Sequence, residues 1–184
     1  MKTTTGDEIL KFWFEDIDRP QWFRKDLDFD RKLAQRFADL LAQARSDQLD
    51  AWIDTPRGRL ALIIVLDQFS RNIHRDAPYS FAADAKALHL AVDGIEKRFD
   101  EKLSLEERSF FYLPLRHAEN LEMQQLGLAK TRELNAAGYG SDKYAVNHLS
   151  IVERFGRFPH RNKVLERDNT PDEEAYLADG KAGF

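Results

Sequence analysis

The sequence predicts an all-α protein of about eight helices in antiparallel pairs. Three observations predict it. Apolar residues recur every three or four positions over most of the chain, helix-start signals precede them, and no segment alternates with period two for the length of a strand. The 184 residues suit a single domain, 1–184, because no linker rich in Gly, Pro or Ser divides them. A chain of this length buries roughly 70% of its unfolded surface and needs no staples.

The elements follow in order. Thr5 to Glu8 is a capping box ahead of Ile9-Leu10-Lys11-Phe12-Trp13-Phe14. The Thr hydroxyl accepts from the third helical N–H, and the Glu reaches back to the cap. Phe29, Leu33, Phe37, Leu40, Leu41 and Ala44 form one apolar face. Thr55-Pro56 is an N-cap followed by Pro at the first helical position, opening a helix to about His74. That helix holds the apolar run Leu60 to Leu66, which periodicity alone would also allow as a buried strand; the cap and the length favour helix. Phe81, Ala85, Leu88, Val92, Ile95 and Phe99 give a further stripe. Ser104 to Glu107 is a second capping box, and the helix it opens should kink or break at Pro114. A helix from Leu121 to Asn135 closes at Gly138-Tyr139-Gly140. The next carries Tyr144, His148, Ile151, Val152 and Phe155 on one face and stops at Gly156 and Pro159. Thr170 to Glu173 is a third capping box before a short terminal helix.

Composition narrows the function classes. A formal net charge of −4 argues against broad nucleic-acid binding, which needs a basic surface. With no cysteine there is no disulfide, thiolate metal site or cysteine nucleophile. The longest apolar run, Leu60 to Leu66, is far short of the ~20 residues of a spanning helix. No apolar stretch follows Lys2, so no signal peptide is expected and the cytoplasm is the default location.

Three segments put polar groups where helix faces otherwise read as core. The first is Asp67-Gln68-Phe69-Ser70-Arg71-Asn72, directly after the most apolar run; Asp67 and Arg71 are four apart, as are Gln68 and Asn72. The second is Arg116-His117-Ala118-Glu119-Asn120, with His117 near an apolar face. The third runs from His148 to Asn162 and crowds Arg154, Arg157, His160, Arg161 and Lys163 around Gly156 and Pro159. Each has a plain structural reading: buried ion pairs and amide contacts that fix packing, or arginines partnered by Glu153 and Glu166. Each has a functional one. Should they converge, Asp67, Gln68, Arg71, Asn72, His117, Glu119, His148, Arg154, Arg157, His160, Arg161 and Asn162 would build a buried polar pocket with a cationic rim. Guanidinium forks suit carboxylate or phosphate.

Several chemistries have no motif here. There is no H-E-x-x-H, no E-x-x-H pair, no Walker loop, no G-x-G-x-x-G and no G-x-S-x-G. Nothing in the spacing asks for a metal, and no cofactor is expected.

Phe12-Trp13-Phe14, Trp22-Phe23, Thr55 to Ile64, Leu66 to Asn72, Phe111-Tyr112-Leu113-Pro114 and Glu153 to Asn162 together resemble one bacterial family. It is the domain of unknown function numbered nine-two-four, classed with tetratricopeptide-like helical proteins. The resemblance covers about Ile9 to Phe184. It implies a right-handed, tetratricopeptide-like superhelix and brings no activity, substrate or cofactor. Two positions depart from the family pattern: Ala118 stands where Ser is expected, and Glu166 where Gly is usual.

Two functions follow as expectations. One is a binding or scaffold module that recognises a peptide or protein partner on its helical surface. The other is a small-molecule enzyme or sensor using a buried His/Asp/Arg pocket for an anionic ligand.

Overall fold

The computed structural model describes residues 4–180; residues 1–3 and 181–184, the two ends of the expected domain, lie outside the described residues. The described residues contain ten α-helices, which form eight segments because α3 runs on into α4 and α6 into α7, and no strand. α1 (Gly6–Lys11) runs on into a π-helical turn, Phe12–Asp16. α2 is Leu27–Arg45. α3 (Pro56–Ile64) continues through a second π-helical turn, Val65–Phe69, into α4 (Ser70–Ile73). α5 is Asp84–Glu96. α6 (Leu105–Phe111) and α7 (Leu113–His117) meet end to end at Tyr112, with Pro114 in the first turn of α7. α8 (Leu121–Ala136), α9 (Lys143–Phe155) and α10 (Pro171–Ala178) complete the chain.

Local sequence sets the boundaries. All three capping boxes form, at Thr5, Ser104 and Thr170. Thr55 accepts from the Gly58 N–H, and Gly156 ends α9 in the left-handed region. The run Leu60 to Leu66 is helical and buried along its whole length. Its lack of a polar face is explained by its neighbours: α1, α2, α5 and α6 all pack against the rod that α3 and α4 form. Gly58 lets the 3₁₀ turn Asp50–Asp54 pack tightly on the start of α3, since a Cβ there would lie 2.5 Å from the Trp52 carbonyl oxygen. Arg59 is fully buried in this core and locked by hydrogen bonds to the Ile53 and Leu90 carbonyls and an ion pair with Asp93.

Two expected stripes shift. On α5 the buried line is Ala87, Leu90, Ala91 and Gly94, while Leu88, Val92 and Ile95 are half-buried and Ala85 is exposed. Small residues face α3 and α6 because the helices pack closely: a Cβ at Gly94 would lie 2.8 Å from Arg59 Cδ of α3 and 2.5 Å from the Phe111 ring of α6. Phe81 and Phe99 lie outside α5, in flanking 3₁₀ turns or beside them. On α9, Tyr144 is exposed and Ala145 takes its place. Trp13 and Trp22 are core residues, the Trp22 indole donating to the Trp13 carbonyl at 2.8 Å. A small second cluster, Ile151, Val152 and Phe158 with Phe155 and Tyr176, ties α10 to α9.

Candidate functional site

The site is built on the widened turn between α3 and α4. A π-helical turn places one more residue in the turn than an α-helix, and such turns recur at functional sites. Here it carries Asp67 and Gln68 into the interior; Asp67 is 1% exposed. Asp67 Oδ1 accepts from His117 Nδ1 at 2.7 Å and faces Arg71 Nη1 at 2.9 Å. Its Oδ2 accepts from Gln68 Nε2. Burial alone would raise the Asp67 pKa, but the Arg71 charge, then His117 and the two hydrogen bonds, hold it well below the ordinary carboxylate range.

His117 arrives at the end of α7, the short helix that Pro114 starts. The last carbonyls of that helix lack helical partners and are satisfied by side chains from elsewhere. Gln124 Nε2 of α8 donates to the Arg116 and Ala118 carbonyls, both at 2.7 Å. His148 Nδ1 donates to the Arg116 carbonyl at 2.9 Å, and Arg161 Nη2 to the His117 carbonyl at 3.0 Å. Thus α8, α9 and the Pro159–Arg161 turn all fix the strand of chain that holds His117.

Ionised Asp67 can only accept, so His117 Nδ1 carries the proton of that bond. The lone pair is therefore on Nε2. Nε2 makes no hydrogen bond among the described residues and is not sealed from solvent.

Arg161 lies between two rings, its guanidinium 4.8 Å from the Phe81 centroid and 4.5 Å from that of Phe158. It approaches Asp84 at 3.7 Å, while Asp84 also takes a two-pronged pair from Arg71 at 2.8 and 2.9 Å. Burial brings the Arg161 pKa down to about 10, helped by the Arg71 charge.

Arg116 differs from these. It is half-buried, and its guanidinium makes no ion pair or hydrogen bond among the described residues. Its Nε is enclosed and unpartnered; its two Nη groups are not enclosed. Burial lowers its pKa, and the one opposing influence is the charge of Asp67, which it does not touch. Arg71 and Arg161 approach Asp67 and Asp84, and Glu119, whose charge also acts on Arg161, is held by Arg167, so Arg116 is left without an acid of its own. The imidazoles carry no charge at neutral pH. Burial pushes His117, His148 and His160 each down to about 4.

Asp67, Gln68, Arg71, His117, His148, His160 and Arg161 gather here; the His117 and His148 rings are 6.4 Å apart, and His160 lies against Phe158. Others of the expected set do not join. Asn72 turns to Asp30, where Arg75 also binds, and makes no pair with Gln68. Arg154 is exposed and lies over Phe155. Arg157 pairs with Glu173 at 2.6 and 2.7 Å, so α10 takes it out of the rim. Glu119 and Asn162 serve a neighbouring clasp: Glu119 accepts from the Phe158 N–H and from Arg167, which also donates to Asn162. Neither Glu153 nor Glu166 partners the arginines of that segment; Glu173 takes Arg157 and Asp84 approaches Arg161.

Asp84, Arg116, Phe81 and Phe158 were not legible as site residues. No sequence pattern marks Asp84, and Phe81 stands on an apolar stripe. Arg116 stands beside His117 in the second segment, and that adjacency was its one signal. Among the described residues no group of three His, Asp or Glu side chains is arranged to hold a metal ion. No described helix is long and apolar enough to cross a membrane.

A separate cleft of 540 Å³ opens beside the starts of α1 and α3, lined by Thr5, Asp7, Trp52, Arg57 and Lys102. Its Arg57 is already paired with Asp7 and Glu107.

No curated protein matches the chain. A solved structure of a protein of unknown function, ATU0120 from Agrobacterium tumefaciens, is similar to it at 39% identity and a TM-score of 0.86. The match covers 95% of this chain and 97% of that one. The model of a bacterial family of unknown function, DUF924, matches residues 9–181, and by the extent of that match and the likeness in fold this chain belongs to the DUF924 family.

Proposed function

We propose that the chain is a small-molecule enzyme or sensor that binds an anionic ligand at the Arg116–His117 face of the α7 end. The observation that carries this reading is Arg116, a half-buried guanidinium with no counter-ion. Most buried polar groups in folded proteins are paired, so a guanidinium without a partner calls for an explanation, and a ligand is one. Arg59, Arg71 and Arg161 each have an acidic or carbonyl partner, and the Nε of Arg161, enclosed and unpartnered like that of Arg116, belongs to a guanidinium that is bonded elsewhere. A carboxylate or phosphate beside Arg116 would complete the charge balance.

A peptide- or protein-binding scaffold on a tetratricopeptide-like superhelix is the second reading, and its support is the family resemblance. The large exposed apolar side chains favour the first. Phe23, Leu27, Tyr79, Leu121, Tyr144 and Val146 are spread over α2, α8, α9 and two 3₁₀ turns or their edges. A cytoplasmic setting, consistent with the lack of cysteine, belongs to the same proposal.

The test is a thermal-shift titration with small oxyanions on the wild-type chain and on Arg116→Gln. A ligand at 100 times its dissociation constant should stabilise the wild type by about 2.7 kcal/mol. Arg116→Gln should lose that shift. A flat response of the wild type across phosphates and carboxylates would remove the reading.

A further inference from the structure

We propose that the cleft beside the starts of α1 and α3 is a second ligand site, and that it takes a nucleoside monophosphate, a flat ring joined to a phosphate. Neither Arg116 nor His117 lines it, so it stands apart from the anion site proposed above.

The cleft itself brings the residues together. Trp52, Arg57, Lys102 and Asp7 line one space of 540 Å³. Small-molecule sites usually measure roughly 300–1,000 Å³. That space is far larger than one oxyanion, so an anion alone would leave most of it unfilled.

Trp52 supplies the wall for a ring. Trp13 and Trp22 are core residues; the Trp13 Nε1 is enclosed and the Trp22 Nε1 donates to the Trp13 carbonyl. Trp52 is half-buried, its ring meets no other ring among the described residues, and its Nε1 is neither bonded nor enclosed. A part-buried indole N–H usually has a partner. An indole with a free N–H on a cleft wall offers stacking area and one donor.

Arg57 and Lys102 supply the anion-holding groups. Arg57 gives its Nε to Asp7 and its Nη1 to Glu107, which fixes the guanidinium, while Nη2 makes no hydrogen bond among the described residues. Lys102 has no acidic partner; its Nζ lies 5.3 Å from the Phe99 ring. An open guanidinium N–H and a lysine point charge suit the several oxygens of a phosphate. Asp7 accepts from Arg57 through Oδ1 alone, leaving Oδ2 to accept from a sugar hydroxyl.

The test is an NMR titration of the wild-type chain near neutral pH at fixed ionic strength, followed at the Trp52 indole N–H so that binding elsewhere does not count. That signal is the one missing in Trp52→Phe; should that variant not fold, contacts between the ring and Gly6 identify it. Adenosine monophosphate should move it to saturation and leave the Trp13 and Trp22 signals in place. Adenosine and inorganic phosphate should each act at least about fivefold more weakly there, since each lacks one half of the contacts. Lys102→Gln changes an exposed residue and should weaken adenosine monophosphate at least about fivefold. A Trp52 signal that stays still up to about 10 mM adenosine monophosphate would overturn the proposal. So would equal affinity for adenosine and its monophosphate, or equal affinity in wild type and Lys102→Gln. Binding lost in Arg116→Gln and kept in Lys102→Gln would put the nucleotide at the Arg116 face and overturn it as well.

Discussion

His117 donates its Nδ1 proton to Asp67 Oδ1 across 2.7 Å, joining two residues 50 positions apart. The bond couples the widened turn of the central rod to the end of α7. It sets the imidazole tautomer and gives Asp67 one of its three partners.

Asp67→Ala should therefore be among the most damaging single changes. It leaves Arg71 with Asp84 alone, frees the His117 ring and strips Gln68 of its acceptor. Breaking a buried charge network typically costs about 3–5 kcal/mol. Urea unfolding would measure it, and a loss below about 1 kcal/mol would contradict the network's structural weight.

Arg116→Met should behave in the opposite way. The guanidinium has no partner to lose, so the variant should match the ligand-free wild type in stability or exceed it by up to about 1 kcal/mol. Anion binding should vanish. A drop of more than about 2 kcal/mol in the same unfolding assay would make Arg116 a structural residue.

Stability should decline on mild acidification. The folded pKa values of His117, His148 and His160 are each about 4, below the ordinary 6.5. Between these values the unfolded chain binds more protons than the folded one, so stability rises with pH. It is complete above about 6.5 and falls as pH drops through about 4. Each imidazole contributes about 1–3 kcal/mol to that fall. Melting curves across this window would show it, and His148→Phe should flatten the slope.

Arg157→Ala should act locally. It leaves Glu173, which also caps α10, without its guanidinium. Glu173 keeps the Thr170 N–H, so the change should loosen the α10 docking without unfolding the protein. Hydrogen exchange should rise over α10 while oxyanion affinity stays unchanged, because Arg157 does not reach the Arg116 face.

Glu166→Gly should stabilise the protein slightly. Glu166 holds φ at +52°, a region that glycine enters without a Cβ penalty, and glycine is what the family resemblance places there. A gain of about 0.5–1 kcal/mol in urea unfolding is expected.

The amino-acid sequence by itself determined the helices and their ends. Thr5, Ser104 and Thr170 cap their own neighbours, Pro56 starts α3, Pro114 starts α7 and Gly156 ends α9. These are interactions within four residues, so their signals lie side by side in the chain. It also marked Asp67, His117 and His148 as polar groups on or near apolar helix faces. What it left undecided was which arginines meet them, because ion pairs form across tens of residues and depend on how helices stack. Packing turned Arg157 toward Glu173 and Asn72 toward Asp30. Packing also brought Asp84 to Arg71 and left Arg116, unremarkable in sequence, as the cation without a partner. Counter-ions are assigned by three-dimensional proximity, and only the tertiary structure supplies it.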